Sequence, residues 1–289
     1  MTTILRRRII AGVMRQLRLA GLTAMWFLAL VTALSSARYF LAPPPKLLLR
    51  NEILALARHP TWIAVHIAGG ITAISVGLFQ FNDRLRNAQP RIHRAIGYLY
   101  LSAVSLAGCA SLALSPDTPL FAADGLAELT TFDLSPLGLS PAFLGYRASS
   151  RFSPDQFFPV RIGFTALAIS WLLSGTLAFV RARQRRFDAH REWMIRNYSL
   201  TFAAATVRLA AFPLLILTRD PIIAVTCAFW SWMLNLGVAE WVIRRRAISI
   251  EPIAQTRPFP ERERTPGCPP CPSHSSVPSS RSGVSFPPK

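Results

Sequence analysis

The stretch PVRIGFTALAISWLLSGTLAFV, residues 159–180, is almost wholly apolar and is followed at once by a run of arginines. A helix that crosses a bilayer needs about 20 mostly apolar residues, because each adds about 1.5 Å across a hydrocarbon core about 30 Å thick. This stretch meets that length. Working outward, five further runs of the same kind stand at about Leu19–Leu41, Thr61–Phe81, His93–Leu114, Ile195–Leu217 and Pro221–Ile243. The expected fold class is therefore all-α, an integral membrane helical bundle of about six transmembrane helices.

Composition agrees with that reading. Hydrophobic residues make up 51% of the 289 and charged residues only 16%, whereas soluble domains carry about 25% charged residues. The net charge is +18, from 32 basic and 14 acidic residues. In a soluble chain such a surplus points to nucleic acid. Here the arginines flank apolar runs instead of forming a patch with aromatics, so the expected partners are the bilayer and anionic lipid headgroups, with no nucleic acid.

Arg6, Arg7, Arg8, Arg15 and Arg18 precede the first run, and Arg84, Arg86, Arg91 and Arg94 lie between the second and third. Arg181, Arg183, Arg185, Arg186, Arg191 and Arg196 lie between the fourth and fifth, and Arg244, Arg245 and Arg246 follow the sixth. Six spans put all four clusters on one side, which the positive-inside rule makes cytoplasmic, together with both termini. Arg38, Lys46, Arg50 and Arg58, in the first outer loop, run against the pattern.

Four regions follow: a basic cytoplasmic N-terminus (1–18), a first transmembrane helix (19–41), a membrane core (51–246) and a Pro/Ser-rich tail (251–289). The first run has a basic lead and small residues near Ser35–Ala37, as a secretory signal does, but the lead is long, and a retained helix is the better reading. Within the core, residues 115–158 hold no spanning stretch and are expected outside the membrane. The tail's composition cannot build a core, and it is expected to be disordered. Its Cys268 and Cys271 form a CxxC without the four ligands of a zinc site or the following His of a c-type haem site. Cys109 and Cys227 lie in apolar runs, where a thiol acts as a small hydrophobe. No metal site is expected.

Ionisable groups at membrane depth are costly, about 2.5–3.5 kcal/mol for a mid-helix Arg, so they are the first functional candidates. His66 is followed on one helical face by Gly69, Gly70, Ala73 and Gly77, which admit either a close helix or a flat ligand. His93 opens the third run. In the fifth, His190, Met194, Asn197, Thr201, Ala204 and Arg208 recur every three or four residues, a polar stripe on one face of a helix capped near Asp188. Glu240 is the evident acid in the spans, but helical rise puts it roughly 15 Å or more in depth from Arg208. Two layers result: an inner one with His93 and His190, and an outer one with His66 and Arg208. Two histidines on different helices at one depth suit bis-His ligation of haem.

The runs His66-Ile-Ala-Gly-Gly, Gly77-Leu-Phe-Gln80-Phe81, His93-Arg94-Ala-Ile-Gly97-Tyr-Leu-Tyr100, His190-Arg191-Glu-Trp193-Met194-Ile-Arg196 and Thr206-Val-Arg208 resemble an uncharacterised bacterial family of predicted membrane proteins, domain of unknown function 2306 (DUF2306). Trp230-Ser-Trp232, Asn235 and Ala239-Glu240 fit its ending. The resemblance covers about residues 51–241 and implies a multi-pass protein of a bacterial inner membrane, without naming a reaction. A more distant similarity is to transmembrane b-type cytochromes. Those use four haem-ligating histidines; only His66, His93 and His190 are suitably placed here, with His59 at a helix boundary before Pro60.

Three functions remain open. One is binding of a small anionic or lipid ligand near Arg208 and His66, with Asn197 and Thr201 on the same stripe. A second is haem b held by His93 and His190, or by His66 in an outer site. The third is a structural or assembly role in a membrane complex. No nucleotide-binding, nucleophile-elbow, zincin or paired-carboxylate motif points to a named enzyme.

Overall fold

In the computed structural model the described residues are 2–41, 57–118, 153–218 and 220–255. The expected loop, for residues 119–152, and the expected tail from residue 256, with its CxxC, lie outside them. The chain divides into two units, Met1–Arg246 and Ala247–Lys289; everything below concerns the first.

Nine helices occupy the described residues: α1 (Thr2–Leu41), α2 (Pro60–Gly77), α3 (Asp83–Ala88), α4 (Pro90–Leu114), α5 (Phe158–Arg183), α6 (Phe187–Thr201), α7 (Ala203–Thr218), α8 (Pro221–Trp230) and α9 (Trp232–Gln255). Short 3₁₀ turns extend α2 to Phe81 and α4 to Asp117, and another precedes α5. Prolines open α2, α4 and α8, where the missing N–H would lack a helical acceptor anyway. Asn82 caps α3, its side-chain oxygen accepting from Arg84 N at 3.0 Å and Leu85 N at 3.2 Å. Asp220 caps α8 through Ile222 N at 2.8 Å and Ile223 N at 3.1 Å. Such a side chain satisfies helix-end donors that nothing else can reach.

The α5–α6 turn is a Schellman motif. Arg186 N donates to Arg181 O and Arg185 N to Ala182 O, both at 3.0 Å. Arg185 sits at φ 59, a left-handed position that glycine fills more cheaply. The helix begins at Phe187, with Arg186 at the cap and no side-chain capping bond. The expected cap Asp188 instead lies within the first turn, where its charge suits the helix dipole.

Five helices among the described residues are long and apolar enough to cross a membrane: Leu19–Phe40, Pro60–Phe81, Pro90–Asp117, Asp155–Arg183 and Ile222–Arg246. The protein is a multi-pass, all-α membrane bundle. Its outward faces carry Leu106, Leu173, Leu234 and Trp241, each more than half exposed, as a lipid-facing surface requires. The expected span Ile195–Leu217 is not one helix but two, α6 of 15 residues and α7 of 16, parted by a turn at Phe202. Beside the turn, the Ser199 carbonyl accepts from Asn235 Nδ2 at 3.2 Å. The expected span Pro221–Ile243 matches the crossing Ile222–Arg246, with a single turn residue at Ser231, whose hydroxyl donates to Ala228 O at 2.6 Å.

Helices α2 and α4 run antiparallel: His59 at the start of α2 pairs with Asp117 past the end of α4, and Gln80 past the end of α2 reaches His93 O near the start of α4. On α2, the Cβ of an added side chain at Gly69 would lie 2.9 Å from both Ala103 O and Ala107 Cβ of α4. At Gly77 it would lie 2.5 Å from the Tyr198 ring and 2.8 Å from that of Tyr100. These two glycines let α4 and α6 close onto α2, the close approach that small residues permit in membranes. Helix α1 packs on α2, with Trp26 edge-on to Phe79 at 5.0 Å and Ala29, Thr32 and Ala33 buried.

Candidate functional site

The centre of the bundle is polar. Asn197 of α6 is 0% exposed. Its amide donates one hydrogen to Trp171 O at 2.7 Å and the other to Ser174 Oγ at 2.9 Å, both on α5. Its Oδ1 accepts from Tyr100 Oη of α4 at 2.6 Å. One turn on, Thr201 Oγ1 accepts from Trp171 Nε1 at 2.8 Å and lies 2.9 Å from Tyr100 Oη. It can also donate to Asn197 O, 3.1 Å away. A consistent proton assignment has Tyr100 donating to Asn197 and Thr201 donating to Tyr100 or to its own helix, so each polar side chain of this network has a partner. Asn197 and Thr201 therefore stitch α4, α5 and α6 together. Tyr198 adds a bond to Ile74 O of α2 at 3.1 Å.

The outer layer is more open. His66 of α2 is half-buried. Its Nδ1 lies 2.9 Å from Ser111 Oγ and 3.2 Å from Ala107 O on α4, and Ser111 donates to the same carbonyl at 2.9 Å. The carbonyl only accepts and the serine's proton is used on it, so Nδ1 carries the hydrogen; in the neutral ring Nε2 is then an acceptor. Among the described residues Nε2 has no hydrogen-bond partner. The ring meets Phe164 of α5 edge-on at 6.3 Å, and Phe164 meets Phe229 of α8 at 6.4 Å. Arg208 of α7 lies within electrostatic reach of His66. Its guanidinium donates to Ala204 O at 2.6 Å and to Ser36 Oγ of α1 at 3.2 Å, and the side chain is exposed. The Arg208 charge thus acts on His66, while Asn197 and Thr201 are turned into the central network.

The inner layer also gathers. His93 of α4 lies within electrostatic reach of His190 of α6 and of Arg86. His190 Nδ1 is 2.8 Å from Ala178 O, which fixes the ring and leaves Nε2 for another partner. His93 Nδ1 is buried without a hydrogen-bond partner. Among the described residues no three His, Cys, Asp or Glu side chains cluster as a metal site would need.

Three contacts escape a reading of the sequence. Glu240, weighed there only against Arg208, takes Arg196 in a two-point pair, Nε to Oε1 at 2.5 Å and Nη2 to Oε2 at 3.1 Å. The signal was available in depth, since both residues sit at the arginine-rich end of their helices. His59 pairs with Asp117 at 2.5 Å, joining the start of α2 to the end of α4. Asn235 links Thr206 at 2.8 Å to Ser199 O across the turn at Phe202.

Comparison with curated proteins and with solved structures returns no match, so nothing there adds to the cytochrome likeness. A family model described as a predicted membrane protein does match, over residues 63–151 and 150–243. Those segments hold His66, His93, His190, Asn197, Thr201, Arg208 and Glu240. They cover most of the chain, which therefore belongs to the DUF2306 family of predicted membrane proteins.

Proposed function

We propose that the protein binds a small anionic or lipid ligand in the outer half of the bundle, between His66 of α2 and Arg208 of α7, and that it does so in a bacterial inner membrane with its arginine-rich end inward. The observation that carries this reading is His66 itself. Its Nδ1 is fixed by Ser111 and Ala107, and its Nε2 is left as an unbonded acceptor within reach of the Arg208 charge. A ligand that touches both would present an anion to the Arg208 charge and a hydroxyl or N–H to His66 Nε2. Phosphate esters bearing hydroxyls, hydroxy-acids and polyol phospholipids have that chemistry. Phe164 and Phe229 supply an apolar wall beside it. An Arg kept at membrane depth costs stability, which is why such residues tend to mark ligand or ion sites.

The test is mass spectrometry of small molecules extracted from the purified full-length protein, with Arg208→Gln and His66→Gln beside it. An anionic species present at near-stoichiometric amounts in the wild type and lost from both variants supports the site. Equal contents in all three preparations overturn it.

A second reading is haem b between His93 and His190. It is favoured by the ring of His190, held through Nδ1 with Nε2 left over, and by the unsatisfied Nδ1 of His93. An absorbance spectrum, oxidised and dithionite-reduced, after haem-sufficient expression decides it. A b-type spectrum lost in His190→Ala supports haem, and a colourless folded preparation retires it.

A further inference from the structure

At the end of the bundle opposite the arginine clusters, a groove of about 460 Å³ runs between the end of α4 and the start of α5. Arg161 and Ser115 line it together with Ile162, Ala166 and Ile169. Arg161 is half-buried, with its guanidinium 4.6 Å from the centre of the Phe158 ring. Among the described residues no carboxylate lies within ion-pair distance of it. The nearby acid Asp117 is taken by His59.

Helical rise sets the groove's depth. From Arg161 to Ile169 is about 12 Å along α5, most of one leaflet's hydrocarbon thickness of about 15 Å. Ile169 is the middle residue of the crossing Asp155–Arg183, so Arg161 lies about 12 Å from the membrane centre, where a long side chain reaches the headgroups, and the aliphatic rail lies at acyl-chain level. Ile162 and Ile169 are 45% and 52% exposed, so the rail opens to lipid and not to the bundle core.

We infer that this groove is a binding site for one anionic phospholipid of the outer leaflet. Its phosphate sits on Arg161 and an acyl chain lies along Ile162, Ala166 and Ile169. Charge selects the lipid. A zwitterionic headgroup brings its own cation to a site that already has one, whereas an anionic headgroup leaves the Arg161 charge matched. Free phosphate would gain the charge contact but nothing from the rail. The site is separate from the His66 and Arg208 layer and does not depend on it.

The test is native mass spectrometry of the full-length protein in a neutral detergent, titrated in turn with phosphatidylglycerol, phosphatidylcholine and inorganic phosphate. The wild type is expected to retain one phosphatidylglycerol more than Arg161→Gln, or to hold its tightest one about tenfold more strongly, the scale of one charge-assisted hydrogen bond. Ile162→Trp, which fills the groove and keeps the charge, should lose the same lipid. Arg208→Gln should keep it, which separates this site from the outer layer. Equal phosphatidylglycerol retention in the wild type and both groove variants overturns the assignment. So does phosphatidylcholine held as strongly as phosphatidylglycerol, or inorganic phosphate that competes the lipid away.

Discussion

Replacing Asn197 separates a stitching residue from a ligand-binding one. The side chain makes three hydrogen bonds, to Trp171 O, Ser174 Oγ and Tyr100 Oη. Interhelical bonds in membranes average about 0.6 kcal/mol and reach about 1.7. Three of them lost in Asn197→Ala come to about 2 kcal/mol, roughly a 30-fold shift in the folding equilibrium. The loss is capped because the stranded groups have other partners. Ser174 Oγ still donates to Trp171 O at 3.1 Å, and Tyr100 can turn to Thr201.

Asn197→Asp should be worse than alanine despite its matching shape. It sets a carboxyl oxygen against the Trp171 carbonyl, 2.7 Å from the present nitrogen, in a fully buried place where an unpaired charge is costly. Tyr100→Phe removes one bond and should cost about 0.6 kcal/mol. Combined with Asn197→Ala it should cost less than the sum, since the two share a bond. Unfolding in mixed micelles by sodium dodecyl sulfate, followed by far-ultraviolet circular dichroism, measures all four variants. If Asn197→Ala unfolds like the wild type but loses a co-purifying small molecule, Asn197 faces a ligand and the argument for stitching is wrong.

Further predictions use the same assay. Arg185→Gly should stabilise by about 1 kcal/mol, because a side chain at positive φ costs roughly that much and glycine does not; an unchanged midpoint would mean the turn is not strained. Gly77→Ala should destabilise by about 1–3 kcal/mol, since the new methyl would stand 2.5 Å from the Tyr198 ring, and overpacking on that scale costs this much. Glu240→Gln should cost about 1 kcal/mol, as the pair with Arg196 is partly solvent-exposed. The exchange Arg196→Glu with Glu240→Arg should restore part of the loss, and no recovery at all would show that the pair's partners, not its charges, matter.

Much of the fold is legible in the sequence because lipid makes it so. A bilayer demands long apolar runs, and the spans at residues 19–41, 61–81 and 159–180 fall close to the crossings Leu19–Phe40, Pro60–Phe81 and Asp155–Arg183 for that reason. The breaks at Phe202 and Ser231 are not legible. They sit beside Asn235, whose amide takes the Ser199 carbonyl from 36 residues away, and nothing local at Phe202 signals it. The partners of Asn197 are hidden in the same way: Tyr100 comes from 97 positions away, and a tyrosine in an apolar run carries no mark of its acceptor. Glycine spacing on α2 pointed to either a close helix or a ligand, and the contacts of Gly69 and Gly77 are with helices.

The stripe His190, Met194, Asn197, Thr201, Ala204 and Arg208 looks in sequence like one feature with one purpose. The turn at Phe202 divides it. Before the turn, Met194, Asn197 and Thr201 face inward and are buried, with the polar atoms of Asn197 and Thr201 committed to Tyr100, Trp171 and Ser174. After it, Ala204 and Arg208 are exposed, and Arg208 reaches Ser36 on α1. The Arg208 guanidinium lies toward α1, on Ser36. Asn235 joins Ser199 to Thr206 across the turn, so a side chain of α9 holds α7, which carries Arg208, against α6. Asn235→Leu should therefore disturb whatever Arg208 holds while leaving the Asn197 network intact, which is the behaviour of a residue that positions the site without touching it.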